Sequence, residues 1–141
     1  MTKPTVVLDT NVYLSGIIFG GNSRHILDLA VEKKILAAIS PAILLEISQK
    51  LEKKFKWNKN QILLTIRTIA KSAKLVTPSQ KVSVVKEDKS DNKIIEAAIE
   101  SKANYIISGD RHLLRIKKYQ QIKIVSPAEF LNICRISKYL L

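Results

Sequence analysis

Two rhythms of apolar residues alternate along the chain. Short, mainly apolar runs stand at Thr5 to Leu8, Leu36 to Ile39, Leu75-Val76, Tyr105 to Ile107 and Lys123 to Val125. Thr5 to Leu8, β-branched and apolar, predicts a strand buried on both faces, and the others predict further short strands. Between them, apolar residues recur at helical spacing. Asn11 to Ile18 predicts a first helix, ended by Gly20-Gly21. Asn22 or Ser23 caps a second, carrying Ile26, Leu27, Ala30 and Val31. Ser40-Pro41 opens a third, with proline at its first position and Ile43, Leu44, Ile47, Leu51 and Phe55 as its stripe. Asn58 caps a fourth, with Ile62, Leu63, Ile66, Ile69 and Ala70. Lys81 to Lys89 is polar except for three valines and predicts a loop with a strand fragment. Ser90 caps a fifth helix, with Asp91 in its first turn and Ile94, Ile95, Ala98 and Ile99 buried. Ser126-Pro127 begins the last, containing Phe130, Leu131 and Ile133, and the tail 137–141 is expected to fray.

Strands that alternate with helices specify an α/β fold: a parallel sheet with helices on both faces. The 141 residues carry no internal repeat, low-complexity tract or linker, and predict one domain spanning residues 1–141.

Charge changes the picture. Lys and Arg number 24 against 12 Asp and Glu, a net charge of +12. Such an excess favours a polyanionic partner, nucleic acid or an anionic surface. The densest basic run is Lys50, Lys53, Lys54, Lys56 and Lys59, with Trp57 inside it. Trp57 reads as a packing anchor before a base-stacking residue. Cys134 is the single cysteine, so no internal disulfide forms and multi-cysteine zinc sites are excluded. No apolar run approaches the roughly 20 residues that span a bilayer, and Asp9 interrupts the apolar N-terminus. These features predict a cytoplasmic protein with no membrane partner.

Against this basic background, a few acids sit where chemistry would place them. Two strand-like runs end directly in aspartate, at Asp9 and Asp110. In a parallel sheet both strand ends lie on one edge, where ligands bind. Asp91 stands in the first turn of a helix, where it also complements the helix dipole. Glu46 borders the apolar stripe of its helix, on the side of Lys50 and Lys53. Each acid has a duller reading as a turn, a cap or a solvated side chain. Together they can form one pocket. Four carboxylates in one pocket repel unless a hard divalent cation, Mg²⁺ or Mn²⁺, neutralises them. One or two such ions activate water and stabilise a leaving oxygen.

The motifs Val7-Leu8-Asp9-Thr10-Asn11-Val12, Ser40-Pro41 with Glu46, Asp91-Asn92-Lys93, and Tyr105-Ile106-Ile107-Ser108-Gly109-Asp110-Arg111-His112-Leu113-Leu114 together resemble PIN domains. The likeness extends to Ile124-Val125-Ser126-Pro127-Ala128-Glu129-Phe130-Leu131, spans about residues 5–133, and is strongest to the VapC-like toxin ribonucleases of toxin–antitoxin pairs. The resemblance implies a three-layer α/β/α sandwich around a small, mainly parallel sheet of four to five strands. It implies a Mg²⁺- or Mn²⁺-dependent endoribonuclease, with Asp9, Glu46, Asp91 and Asp110 as metal ligands and Asn11 and Ser108 orienting them. It also implies an antitoxin partner and a homodimer, with the apolar helix faces at Ile26 to Val31 and Ile62 to Ile69 as candidate surfaces. Arg111 and Arg115, following Asp110, and Lys50 and Lys53 are the candidates for holding RNA. Two positions depart from the pattern: Asn92 and His112 stand where further acids are common. His112 reads as a packing histidine or a phosphate contact. Two rivals remain. Asp-Thr-Asn-Val also resembles the start of haloacid-dehalogenase-type phosphatases, whose second aspartate is here Asn11. The other rival is a non-catalytic nucleic-acid-binding domain.

Overall fold

The computed structural model describes residues 3–85 and 91–137. Its elements in chain order are β1 (Thr5–Leu8), α1 (Thr10–Ile18), α2 (Gly21–Val31), β2 (Leu36–Ile39), α3 (Pro41–Lys53), α4 (Lys59–Ser72) and β3 (Ala73–Leu75). There follow α5 (Asn92–Ser101), β4 (Tyr105–Ile107), α6 (Arg111–Ile116), β5 (Lys118–Tyr119), β6 (Ile122–Val125) and α7 (Pro127–Ser137). The sheet runs β3-β2-β1-β4-β6-β5 and is parallel except where β5 pairs with β6. Helices pack around it in an α/β sandwich, with α5 against β1, β2 and β4, α1 on α2, and α2 on α7.

Continuous apolar strands make this sheet. Val6, Val7, Leu8, Ala38, Ile39, Ile106 and Ile107 are fully buried, as parallel strands covered on both faces require. The strand order creates a crevice. The chain leaves β1 for β2 on one side and later returns on the other as β4, so β1 and β4 flank the switch point. In open α/β sheets the crevice outside the strand ends there is the binding site. Leu8 pairs in register with Ile107, which brings Asp9 and Ser108 side by side.

Several helix starts carry their predicted caps. Ser40 accepts from the Ile43 N–H at 3.3 Å. Asn58 and Gln61 form a reciprocal capping box. The α2 start differs: neither Asn22 nor Ser23 caps it, because the helix begins at Gly21. Gly20 and Gly21 both take positive φ, 92° and 68°, so the α1–α2 connection is a tight turn open to glycine. The third strand comes two residues early, at Ala73–Leu75, with Lys74 and Leu75 exposed on a sheet edge. Val76 comes next and donates to the Ile39 carbonyl at 2.9 Å. The sheet gains a sixth strand, β5, which pairs over only two residues.

Residues 81–85 contain no strand. The segment from Ser79 is strapped to α5 by three side chains spaced one turn apart. Glu100 accepts from the Ser79 N–H and Glu96 from the Val82 N–H, each at 3.0 Å. Asn92 accepts from the N–H groups of Val84 and Val85 and donates to the Val85 carbonyl. Residues 86–90, including the expected cap Ser90, and the tail 138–141 lie outside the described residues.

Trp57 packs against the core, as its anchoring role predicts. Cys134 is fully buried on the inner side of α7, and burial pushes its thiol up to about 11. The candidate dimer surfaces need correction. Ile26, Ile62 and Ile69 point into this chain's own core, and the exposed apolar side chains on those helices are Val31, Leu63 and Leu64.

Candidate metal centre

Asp9 is the N-cap of α1, with extended backbone and its carboxylate Oδ1 accepting from the Val12 N–H at 2.9 Å. Its backbone N–H donates across the sheet to Ile107 at 3.0 Å, which fixes the residue to the end of β4. Its Oδ2 accepts from the Ser108 hydroxyl. Ser108 is fully buried, and its Oγ in turn accepts from the Asp110 N–H at 2.9 Å. A relay of two hydrogen bonds therefore locks Asp9 and Asp110 across the switch point. Asp110 is itself the N-cap of α6, accepting from the His112 N–H at 2.7 Å.

Glu46 reaches the same place from α3. Its Oε1 accepts from the Thr10 hydroxyl and pairs with the Lys93 ammonium at 3.2 Å, while Oε2 lies 4.0 Å from Lys50. Asp91 stands one position before α5; its side chain does not cap the helix. Asp9, Glu46, Asp91 and Asp110 all line one small cavity of about 40 Å³, together with Thr10, Asn11, Lys50 and Ile94. The four acids chosen from sequence are thus brought together from four separate segments.

The electrostatics of the cavity arise from burial. Asp9 is 4% exposed. Desolvation raises its pKa above the ordinary carboxylate value, and the nearby Asp110 charge raises it further. The Ser108 hydroxyl and the N–H groups of Val12 and Asn11 oppose the shift without cancelling it. A cation bound here would reverse the balance, because it offsets the desolvation of the carboxylate with opposite charge.

The donor set fits a hard divalent ion. All four acids offer oxygen, and Mg²⁺ commonly takes only one or two carboxylates while keeping several waters. That matters because, among the described residues, no three acid, histidine or cysteine side chains stand at spacing to grip one ion directly. Glu46 is held by Thr10 and Lys93 as the side chains lie.

The supporting residues are partly reassigned. Ser108 contacts Asp9 as expected. Asn11 does not orient an acid with its side chain; it is exposed, and its Oδ1 lies 3.4 Å from Lys50 Nζ, while its backbone N–H serves Asp9. Asn92 is 6% exposed and turned into its clamp on Val84 and Val85. An acid there would lack the N–H pair that meets the Val85 carbonyl, which accounts for the departure. His112 is half-buried, and its Nδ1 has no hydrogen-bond partner among the described residues. It does not line the acid cavity.

Among the basic candidates, Lys50 lines the cavity and Lys53 stands exposed on the next turn of α3. Arg111 and Arg115 are exposed on α6, whose first residue directly succeeds Asp110. Sequence reasoning misses two residues: Thr10 and Lys93, both bonded to Glu46. Only the fold joins them to it, since 36 and 47 positions separate them along the chain.

A larger groove of about 310 Å³ lies away from the acids, between α1, α2 and α4. Ile17, Leu27, Val31 and Leu64 give it apolar walls. No helix among the described residues is long and apolar enough to cross a membrane.

A family model described as PIN domain matches residues 5–112. An uncharacterized protein of Methanocaldococcus jannaschii is 38% identical over 144 aligned positions, covering 92% of this chain and 91% of that one. Among solved structures, VapBC2 from Rickettsia felis, bound to a DNA fragment from its promoter, superposes with a TM-score of 0.61. That match has 17% identity and covers 86% of this chain and 98% of the other. The RRP44 PIN domain of T. brucei gives a TM-score of 0.59 at 12% identity, covering 96% and 83%. At such identities the two structures speak for the fold.

Proposed function

This chain belongs to the PIN domain family, and from that premise we propose that it is a Mg²⁺- or Mn²⁺-dependent endoribonuclease, the toxin of a toxin–antitoxin pair. The observation that carries the reading is the shared cavity. Asp9, Glu46, Asp91 and Asp110 line it at the sheet's switch point, in a protein of net charge +12. An acidic pocket in a basic protein suits a polyanion whose backbone must approach a cation.

Asp9, Asp91, Asp110 and Glu46 would hold the ion, directly or through water. When bound, it supplies an activated water and neutralises charge developing on the phosphodiester. Ser108 holds the Asp9 carboxylate in one rotamer, and the Asp110 N–H fixes Ser108. Arg111 and Arg115 on α6, with Lys50 and Lys53 on α3, hold the RNA backbone on either side. The phosphatase alternative for Asp9 gains no support from these matches. An antitoxin partner is supported by the fold shared with VapBC2, and a homodimer would use Val31, Leu63 and Leu64, which are exposed.

Two measurements bear on these finer points. Replacing Arg111 and Arg115 with alanine removes two phosphate contacts. The salt slope of single-stranded RNA binding, log K against log salt, is expected to fall by about 0.7 for each. An unchanged slope would place the RNA elsewhere. Inducing the chain in growing cells is expected to arrest growth, with relief by co-expression of a small gene beside it. Unimpeded growth would count against the toxin reading.

A further inference from the structure

Lys93 sits where helix physics alone would not put it. It is the second residue of α5, in the first turn, where the helix dipole disfavours a cation. Its side chain is 19% exposed and reaches Glu46 on α3 at 3.2 Å. Glu46 already accepts from Thr10 and lies beside Lys50. The ion pair joins α3 to α5 and holds Glu46, one of the four acids that line a cavity of about 40 Å³. In this arrangement Glu46 cannot offer both oxygens to an ion in the cavity.

We propose that Lys93 is a resident counter-cation of the acid cavity, alongside Lys50: it neutralises Glu46 in the metal-free protein and competes with a divalent ion for that carboxylate. This rests on the metal-dependent function proposed for the same cavity and adds a positioning residue to it. A fixed ammonium lowers the repulsion among the acids when no ion is bound, which stabilises the empty site. The same ammonium competes with any ion that calls on Glu46, which weakens metal affinity. Both effects have one cause, so one substitution should move them in opposite directions.

The test is Mn²⁺ binding to the metal-stripped full chain, monitored by the paramagnetic signal of free Mn²⁺ and by calorimetry, with thermal unfolding of the same samples. Lys93→Gln removes the charge and keeps the length of a polar side chain. It is expected to lower the Tm of the metal-free protein and to tighten Mn²⁺ binding about tenfold, the scale of removing one charge near 4 Å in a partly exposed site. Lys93→Arg keeps the charge and is expected to bind Mn²⁺ within about twofold of the parent. A merely structural ion pair would lower Tm with unchanged or weaker Mn²⁺ binding in Lys93→Gln, and that result overturns the proposal. If the parent chain itself binds no Mn²⁺, the metal-dependent function fails, an outcome distinct from the first.

Discussion

Asp9→Asn is expected to lower RNA cleavage by about a hundredfold or more, while the metal-free protein becomes more stable. The two effects share an origin. Asp9 is buried at the end of β1, beside Asp110, where desolvation and the neighbouring charge disfavour its ionised form. An amide removes that charge and still offers an oxygen to the Val12 N–H. It cannot serve as an anionic ligand, so a site built on carboxylates loses its central member. Active sites commonly carry such a stability cost, and relieving it is worth on the order of 1 kcal/mol, about 4 °C in Tm for a domain of this size.

The pH dependence has a definite sign. The folded state raises the Asp9 pKa, so the folded protein holds this proton more tightly than the unfolded chain. Stability from this group is therefore full below the ordinary aspartate pKa and declines as pH rises through the raised value. Asp9→Asn should flatten that decline in metal-free thermal melts. A parent protein whose stability rises monotonically from acid to neutral pH, with no difference in the variant, would contradict the assignment.

Phe130→Ala is expected to cost about 3–5 kcal/mol, a large share of the roughly 5–15 kcal/mol that holds a domain together. Phe130 is fully buried in α7 and stacks edge-on against Tyr105 of β4, ring centroids 5.5 Å apart. The same strand leads into Ser108 and Asp110. Truncating the ring opens a cavity beneath the strand that delivers half of the site. Thermal or urea unfolding measures the loss. A change under about 1 kcal/mol would mean that α7 is peripheral to the core.

Most of the site is legible in the sequence because its logic is local. A buried strand that stops at an acid announces both the strand and the carboxylate, as at Leu8-Asp9 and Ile107-Ser108-Gly109-Asp110. Continuous apolar runs specify β1, β2 and β4, and caps such as Ser40 and Asn58 specify their helices. Other features leave no such signal. Helix α6 has six residues, too few to display a period, and β5 has two. Strand β3 lies on an edge with Lys74 and Leu75 exposed, so burial does not mark it. Helix α2 starts at a glycine with no polar cap. Asn92 reads in sequence as a gap among acids, whereas its partners at Val84 and Val85 are backbone groups that only the fold supplies. Asn11 reads as an orienting side chain, yet it contributes through its backbone. Lys93 and Thr10 meet Glu46 through tertiary packing, which no spacing along the chain encodes.

The central claim is that four acids at the switch point make this protein a metal-dependent nuclease for RNA. It is tested most directly by stripping the purified chain of metal and measuring cleavage of a broad RNA panel as Mg²⁺ or Mn²⁺ is returned, with Asp9→Asn in parallel. The expected result is no cleavage in chelator, recovery on adding either ion, and a loss of about a hundredfold or more in Asp9→Asn at every ion concentration. Cleavage that survives chelation, or that Asp9→Asn performs as well as the parent, would contradict it.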